Sequence, residues 1–353
     1  MKKDASASRR SHALATRNPA DEARSGKRLD KAAVAGTGPK LTSIELCAGA
    51  GGQALGIARA GFDHLALVEF DASCCSTLRA NRPLWNVYHR DIAKFDGSRY
   101  RNRVDLLAAG LPCLPFTVAG KQEGELDERD MFPEALRLIE EIRPKAIMIE
   151  NVAGFLAPRF EAYRQQLRSQ LGRLGYDVVW RQFNASDFGI SQARQRVFVV
   201  AMLKRYSAAF VWPEPAANAP PSVGEALYDL MAEKGWAGAK AWRSAAAGLA
   251  PTIVGGSKKH GGPDLGPTRT RQAWAKLGVN GKSVADAAPD KAFAGMPRLT
   301  VAMVARLQGF PDAWKFSGGK TAAYRQVGNA LPPQLAQAVA KSIRKALMAK
   351  QPL

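Results

Sequence analysis

From Leu41 onward, short apolar runs alternate with longer amphipathic stretches, and this alternation restricts the fold more than any other feature. The apolar runs Leu41–Cys47, His64–Phe70, Val104–Ala109, Lys145–Glu150, Val178–Phe183 and Val197–Met202 read as strands. Helical periodicity lies between them, as at Phe132–Ile142 and Phe160–Leu174. Strands alternating with helices predict an α/β fold, a parallel sheet with helices on both faces. A further helix is expected at Thr300–Gln308. Another runs from Gln334 to about Met348, where Pro332 and Pro333 suit its start.

The flanks read differently. Residues 1–40 are rich in Lys, Arg, Ser and Ala without apolar period, and are expected to form a disordered basic tail. Residues 213–297 shift to Pro, Gly, Ala and Lys, as a smaller domain or large insertion would. This divides the chain into a tail, a core at 41–212, the 213–297 region, and a closing segment at 298–353 that returns to the core. No apolar run reaches the length of a membrane helix, and the N-terminus has no apolar core of a secretory signal. The expected setting is a reducing, cytoplasmic one.

Lys and Arg number 51 against 31 Asp and Glu, a formal net charge of +20. Such an excess speaks to partners more than to fold, and nucleic acid is the commonest polyanion. The four cysteines, Cys47, Cys74, Cys75 and Cys113, form no C-x-x-C pair, so no zinc site or disulfide framework is expected.

Four strand ends carry chemistry. The first leads into Cys47-Ala48-Gly49-Ala50-Gly51-Gly52, where glycines let a ligand approach the backbone. Glu69 ends the next strand at the place of a ribose-binding acid, and Asp91, before Ile92, is a candidate for an adenine amino group. Gly49, Gly51 and Ala54 also fit a loose dinucleotide fingerprint, so a nicotinamide cofactor stays open at this point. The third strand runs into Pro112-Cys113, with prolines stiffening a loop at the carboxyl edge where α/β sheets bind ligands. The fourth ends in Glu150-Asn151-Val152, a carboxylate that is costly there unless paired or used. Gln192, Arg194 and Arg196 alternate, so they share one face of an extended segment.

Together these elements resemble the DNA (cytosine-5) methyltransferases, over residues 41 to about 212 and 298 to 346. Arg306-Leu307-Gln308-Gly309-Phe310-Pro311 and Gln326-Val327-Gly328-Asn329-Ala330 extend the similarity. The resemblance implies a Rossmann-like core that binds S-adenosyl-L-methionine through Cys47, Ala48, Gly49, Gly51, Gly52, Glu69, Asp91, Ile92, Pro112, Asn329 and Ala330. It implies Cys113 as nucleophile, aided by Glu150, Arg194 and Arg196, with no metal. It makes residues 213–297 the target-recognition region, with Gln192, Lys258, Lys259, Arg269 and Arg271 as candidate contacts to duplex DNA. The expected working unit is a monomer of a bacterial modification system, with or without a companion restriction endonuclease. An RNA-acting enzyme on the same core and a decayed DNA-binding homologue are the alternatives. Three positions depart from the family: Cys47 stands for an aromatic residue, Leu114 for Gln and Thr117 for Ser.

Overall fold

Seven strands form one sheet in the order β3-β2-β1-β4-β5-β7-β6. They are β1 Leu41–Leu46, β2 Phe62–Glu69, β3 Val87–His89, β4 Leu106–Gly110, β5 Ala146–Val152, β6 Tyr176–Asn184 and β7 Gln195–Leu203. The computed structural model describes residues 40–112, 130–257 and 262–349. The expected tail, Cys113, Leu114, Thr117, Lys258 and Lys259 lie outside them.

β1 to β5 run parallel, whereas β7 is antiparallel to both β5 and β6. The sheet is therefore mixed rather than wholly parallel. A parallel return needs a crossover of a dozen or more residues, usually a helix. Only ten residues, 185–194, separate β6 from β7, and they form a one-turn 3-10 helix and a loop. The chain doubles back instead.

Period-two alternation sends each strand's apolar residues to two cores. Ile44, Leu46, Leu107, Ala109, Ile147, Ile149, Val197 and Val199 pack on one face, with helices α3 (Phe132–Ile142) and α4 (Glu161–Arg173). Leu106, Ala108, Met148, Phe198 and Val200 pack on the other. That face is covered by α1 (Gly52–Arg59) and by α11 (Pro333–Met348), whose first position is Pro333. Burial on both faces is why these strands read as continuous apolar runs.

Between lie α2 (Ala72–Asn81) and the short α5 (Lys204–Ser207). Then come α6 (Val223–Ala232), α7 (Ala239–Ala245), α8 (Thr268–Lys276), α9 (Val301–Leu307) and α10 (Lys320–Asn329). α6 starts with a capping box: Ser222 N–H donates to Glu225 Oε2 at 2.8 Å, and Glu225 N–H to Ser222 Oγ at 3.2 Å. Val223, Leu227, Trp242 and Trp274 share one apolar core with Leu299, Met303, Leu307, Tyr324 and Val327. Arg306 on α9 joins this packing by pairing with Asp229 of α6 and with Asp312. The described residues of 223–330 thus gather around a core that also takes in Leu55 of α1.

No helix among the described residues is long and apolar enough to cross a membrane.

Candidate active site

The turn after β1 has three residues in the left-handed region, Cys47 (φ 54°), Gly49 (φ 53°) and Gly51 (φ 89°). Ala48 N–H donates to Val68 O and Gly51 N–H to Ala48 O, both at 3.1 Å, folding the turn against β2. Gly51 caps α1 without a side-chain acceptor, so the first-turn amides face the turn, an arrangement suited to an anion. A methyl added at Gly52 would lie 2.2 Å from Leu331 O, whereas one at Gly49 would meet no atom within 4 Å. The first glycine lets the closing segment pack against α1. The second borders open space.

Glu69 holds the turn together. Its Oε2 accepts from Gly49 N–H and its Oε1 from Asp71 N–H, each at 2.7 Å. Burial raises its pKa, these amide bonds oppose the rise, and Asp71 adds to it. Asp91 accepts from Ala93 N–H at 3.0 Å and lines a cleft of about 450 Å³ with Phe70, His89, Arg90 and Lys94. Phe70 is 68% exposed. Sequence reasoning named Glu69 and passed over the aromatic beside it. A large apolar side chain directly after an acid at a strand end was the available signal. Ile92 is buried in the main core beneath Asp91, and Pro112 is exposed at the end of the described β4 loop. A glycine turn, an uncapped helix start, an acid and an aromatic-lined cleft fit a nucleoside carrying an amino-acid tail.

The thiol of Cys47 is pushed far up, by burial first and then by Glu69, Asp91 and Glu45. It is therefore neutral. Glu45 is also raised well above the carboxylate range, by burial and then by Glu69.

The catalytic candidates lie on neighbouring strands. Gly110 of β4 pairs with Glu150 of β5, so the chain leaves β4 beside Glu150 three residues before Cys113. On the other side, β7 brings Arg196 opposite Val152. Arg196 Nε meets Glu150 Oε1 at 2.7 Å, with both side chains largely buried, and Arg196 Nη1 donates to Gln195 O. Asn151 is fully buried. Its Oδ1 accepts from Val152 N–H, while its Nδ2 has no partner among the described residues.

The remaining residues fall in several places. Gln192, expected to contact DNA, is instead 0% exposed. Its amide donates to Leu307 O and Gln308 Oε1 and accepts from Ile253 N–H. The reason is its position before β7, where the closing segment covers the loop. Arg194, expected to aid the thiol, is 2% exposed and donates to the carbonyls of Ile253, Gly328 and Ala330. Asn329 donates to Gly256 O at 3.1 Å. On α8, Arg269 is exposed, and Arg271 donates to Thr268 Oγ1 at 3.2 Å.

The model of one family, C-5 cytosine-specific DNA methylase, matches residues 41–345. The chain belongs to that family. The methylase is 51% identical over 315 residues to the Type II methyltransferase M.NgoMIV of Neisseria gonorrhoeae, covering 87% of this chain and 98% of that relative. It is 50% identical over 313 residues to the Type II methyltransferase M.NaeI of Lentzea aerocolonigenes, covering 87% and 75%. Its fold is shared with the S. pombe Dnmt2 methyltransferase, at a TM-score of 0.60, 17% identity, and coverage of 88% and 100%. It is shared equally with the Entamoeba histolytica methyltransferase EhMeth, at 0.61, 14%, and 87% and 98%. Membership removes the nicotinamide reading of the methylase's glycine turn.

Proposed function

We propose that this methylase modifies a flipped cytosine at carbon 5 within a specific duplex DNA sequence, using S-adenosyl-L-methionine, as part of a bacterial modification system. The observation that carries the reading is the Glu150–Arg196 pair beside the end of β4. A carboxylate oxygen and guanidinium N–H groups stand side by side there. They complement a cytosine edge that offers N–H at the exocyclic amine and at protonated ring nitrogen 3, and an acceptor at the carbonyl.

Carbon 5 of cytosine is a weak nucleophile. The Cys113 thiolate attacks carbon 6, and the electrons of the 5,6 double bond pass to carbon 5. Glu150 holds the amine and ring nitrogen 3 as charge builds, while Arg196 holds the carbonyl oxygen. The bound cofactor supplies an electrophilic methyl group. Removal of the carbon 5 proton then restores the double bond and expels the thiolate. One hard step is split into easier ones, as covalent catalysis requires. The ring must leave the stack, because neither face is reachable within a duplex. Gly49, Gly51, Glu69, Phe70 and Asp91 would hold the cofactor.

Duplex carrying 5-fluorocytosine at the target provides the test, since fluorine cannot leave as a proton does. Wild type with cofactor should give a shifted band on a denaturing gel, and Cys113→Ala should give none. A band that survives in Cys113→Ala names a different nucleophile. Methylation of RNA but not of duplex DNA would favour the RNA-acting alternative.

A further inference from the structure

The chain from Ala250 to Gly256 reaches the catalytic edge and is gripped there by the segment that leads into Arg196. Ala250 N–H donates to Ser191 O at 2.9 Å, and Ala193 N–H to Ala250 O at 2.8 Å. Thr252 Oγ1 donates to Ala193 O at 2.7 Å. Ile253 is held at both backbone groups. Its N–H donates to Gln192 Oε1 at 3.0 Å, and its carbonyl accepts from Arg194 Nη1 at 2.7 Å.

The same two side chains reach the closing segment. Gln192 Nε2 donates to Gln308 Oε1 at 2.7 Å, and Arg194 Nη2 donates to Gly328 O at 3.0 Å and Ala330 O at 3.1 Å. Beyond Ile253 the fit is backbone on backbone. A methyl at Gly328 would lie 2.4 Å from Gly255 N, and one at Gly255 would lie 2.4 Å from Arg325 O.

Apolar packing alone would hold such a segment while tolerating slippage. A buried amide and a buried guanidinium do not tolerate it. Moving the segment by one residue would leave the polar groups facing Ile253 without their partners inside the protein. The register of residues 252–256 is thereby tied to Arg196, two residues beyond Arg194. Val254 and Gly256, exposed on that segment, are held at a set distance from the Glu150–Arg196 pair.

We propose that Gln192 and Arg194 are positioning residues of the methylation reaction. They fix residues 252–256 against the catalytic edge and so help decide which duplex sequences deliver a cytosine to Glu150 and Arg196, while touching no base themselves. This rests on the duplex-DNA reading above.

The experiment uses the full chain and the target duplex found by bisulfite sequencing of DNA from expressing cells. A wild-type chain that methylates no duplex DNA would overturn the parent reading before any variant is made. With the target in hand, four quantities are measured for Gln192→Leu, Arg194→Met, Arg194→Lys and Thr252→Val. They are KM for duplex, single-turnover rate at saturating duplex, cofactor Kd, and discrimination against duplexes altered at one base pair outside the cytosine. For Gln192→Leu and Arg194→Met, KM should rise and discrimination shrink by about tenfold or more, with the saturated rate and cofactor Kd within about threefold of wild type. Arg194→Lys should recover part of the discrimination. Thr252→Val, which removes one hydroxyl, should move the same two quantities by a smaller factor.

A large fall in saturated rate with KM and discrimination unchanged would overturn the proposal and place Arg194 at the reacting base. Unchanged discrimination in all folded variants would overturn it as well. If Gln192→Leu or Arg194→Met fails to fold, Arg194→Lys and Thr252→Val carry the same test.

Discussion

Gly49 and Gly52 stand three residues apart and answer an added methyl in different ways. At Gly52 the methyl would meet the Leu331 carbonyl at 2.2 Å, so Gly52→Ala must displace backbone. It should lower stability by about 1–3 kcal/mol, read as a fall in melting temperature, and loosen the glycine turn with it. At Gly49 the space is open, and only the positive φ penalises alanine, by about 1–2 kcal/mol. Gly49→Ala should stay folded yet lose cofactor affinity in calorimetry, because its methyl enters the side where the ligand would lie. Wild-type affinity in Gly49→Ala would remove that turn from the site. At Glu150, Glu150→Gln should slow turnover by about 10²–10⁴-fold while duplex binding persists. The places of these residues at strand ends were legible in sequence because strand ends, glycines and acids leave local signatures. The burial of Gln192 was not. An amide in an extended segment reads the same whether it faces solvent or Ile253, and its partners come from about sixty and over a hundred residues away.

At the scale of elements, β2 is joined to β1 and α1 by one imidazole. Ring nitrogen Nδ1 of His64 lies 2.9 Å from Ser43 Oγ, and Nε2 lies 3.0 Å from Ala54 O. A carbonyl only accepts, so Nε2 carries the proton and Nδ1 accepts from the serine hydroxyl. Burial lowers the pKa of His64 to about 4, against a small rise from the Ala54 carbonyl and Asp63. The folded state thus disfavours the charged ring. His64 contributes stability that is present above its ordinary value near 6.5 and lost as pH falls from there toward 4. Glu45 titrates with the opposite sign, since its raised pKa favours folding below the ordinary carboxylate range and less as pH rises. Melting temperatures of wild type and His64→Gln at pH 7 and pH 4.5 separate the two. The variant should lose less on acidification, and an equal loss would deny His64 the role. Most strands were readable as apolar runs. β3 escaped because three residues, Val87–His89, are too few to show a period. The antiparallel course of β7 escaped because a run buried on both faces carries no mark of direction. The helices of residues 223–276 were faint in sequence because α7 and α8 have only seven and nine residues.

Across the whole molecule, the +20 charge is spread widely. Residues 213–297 hold ten Lys and Arg against seven Asp and Glu, so this stretch supplies only a minor part of it. Affinity for duplex DNA should fall steeply with salt, roughly in proportion to the phosphates neutralised. Neutralising Arg269 and Arg271 together should lower the log–log slope by about two at most, leaving most of it in place. A slope abolished by those two changes would return the polyanion contact to α8 alone. The packing of α1 against residues far along the chain also has a consequence in time. Gly52 abuts Leu331 O, and Gly56 abuts Pro333 O and Ala336. The wall behind the glycine turn is thus made by residues that the ribosome adds long after α1. A nascent chain halted before residue 331 has every other element of the site in its sequence but lacks the backbone against which Gly52 and Gly56 close. The enzyme should gain cofactor affinity only once α11 has been made and is free of the ribosome, and a separately added peptide spanning α11 should restore part of it to the shortened chain.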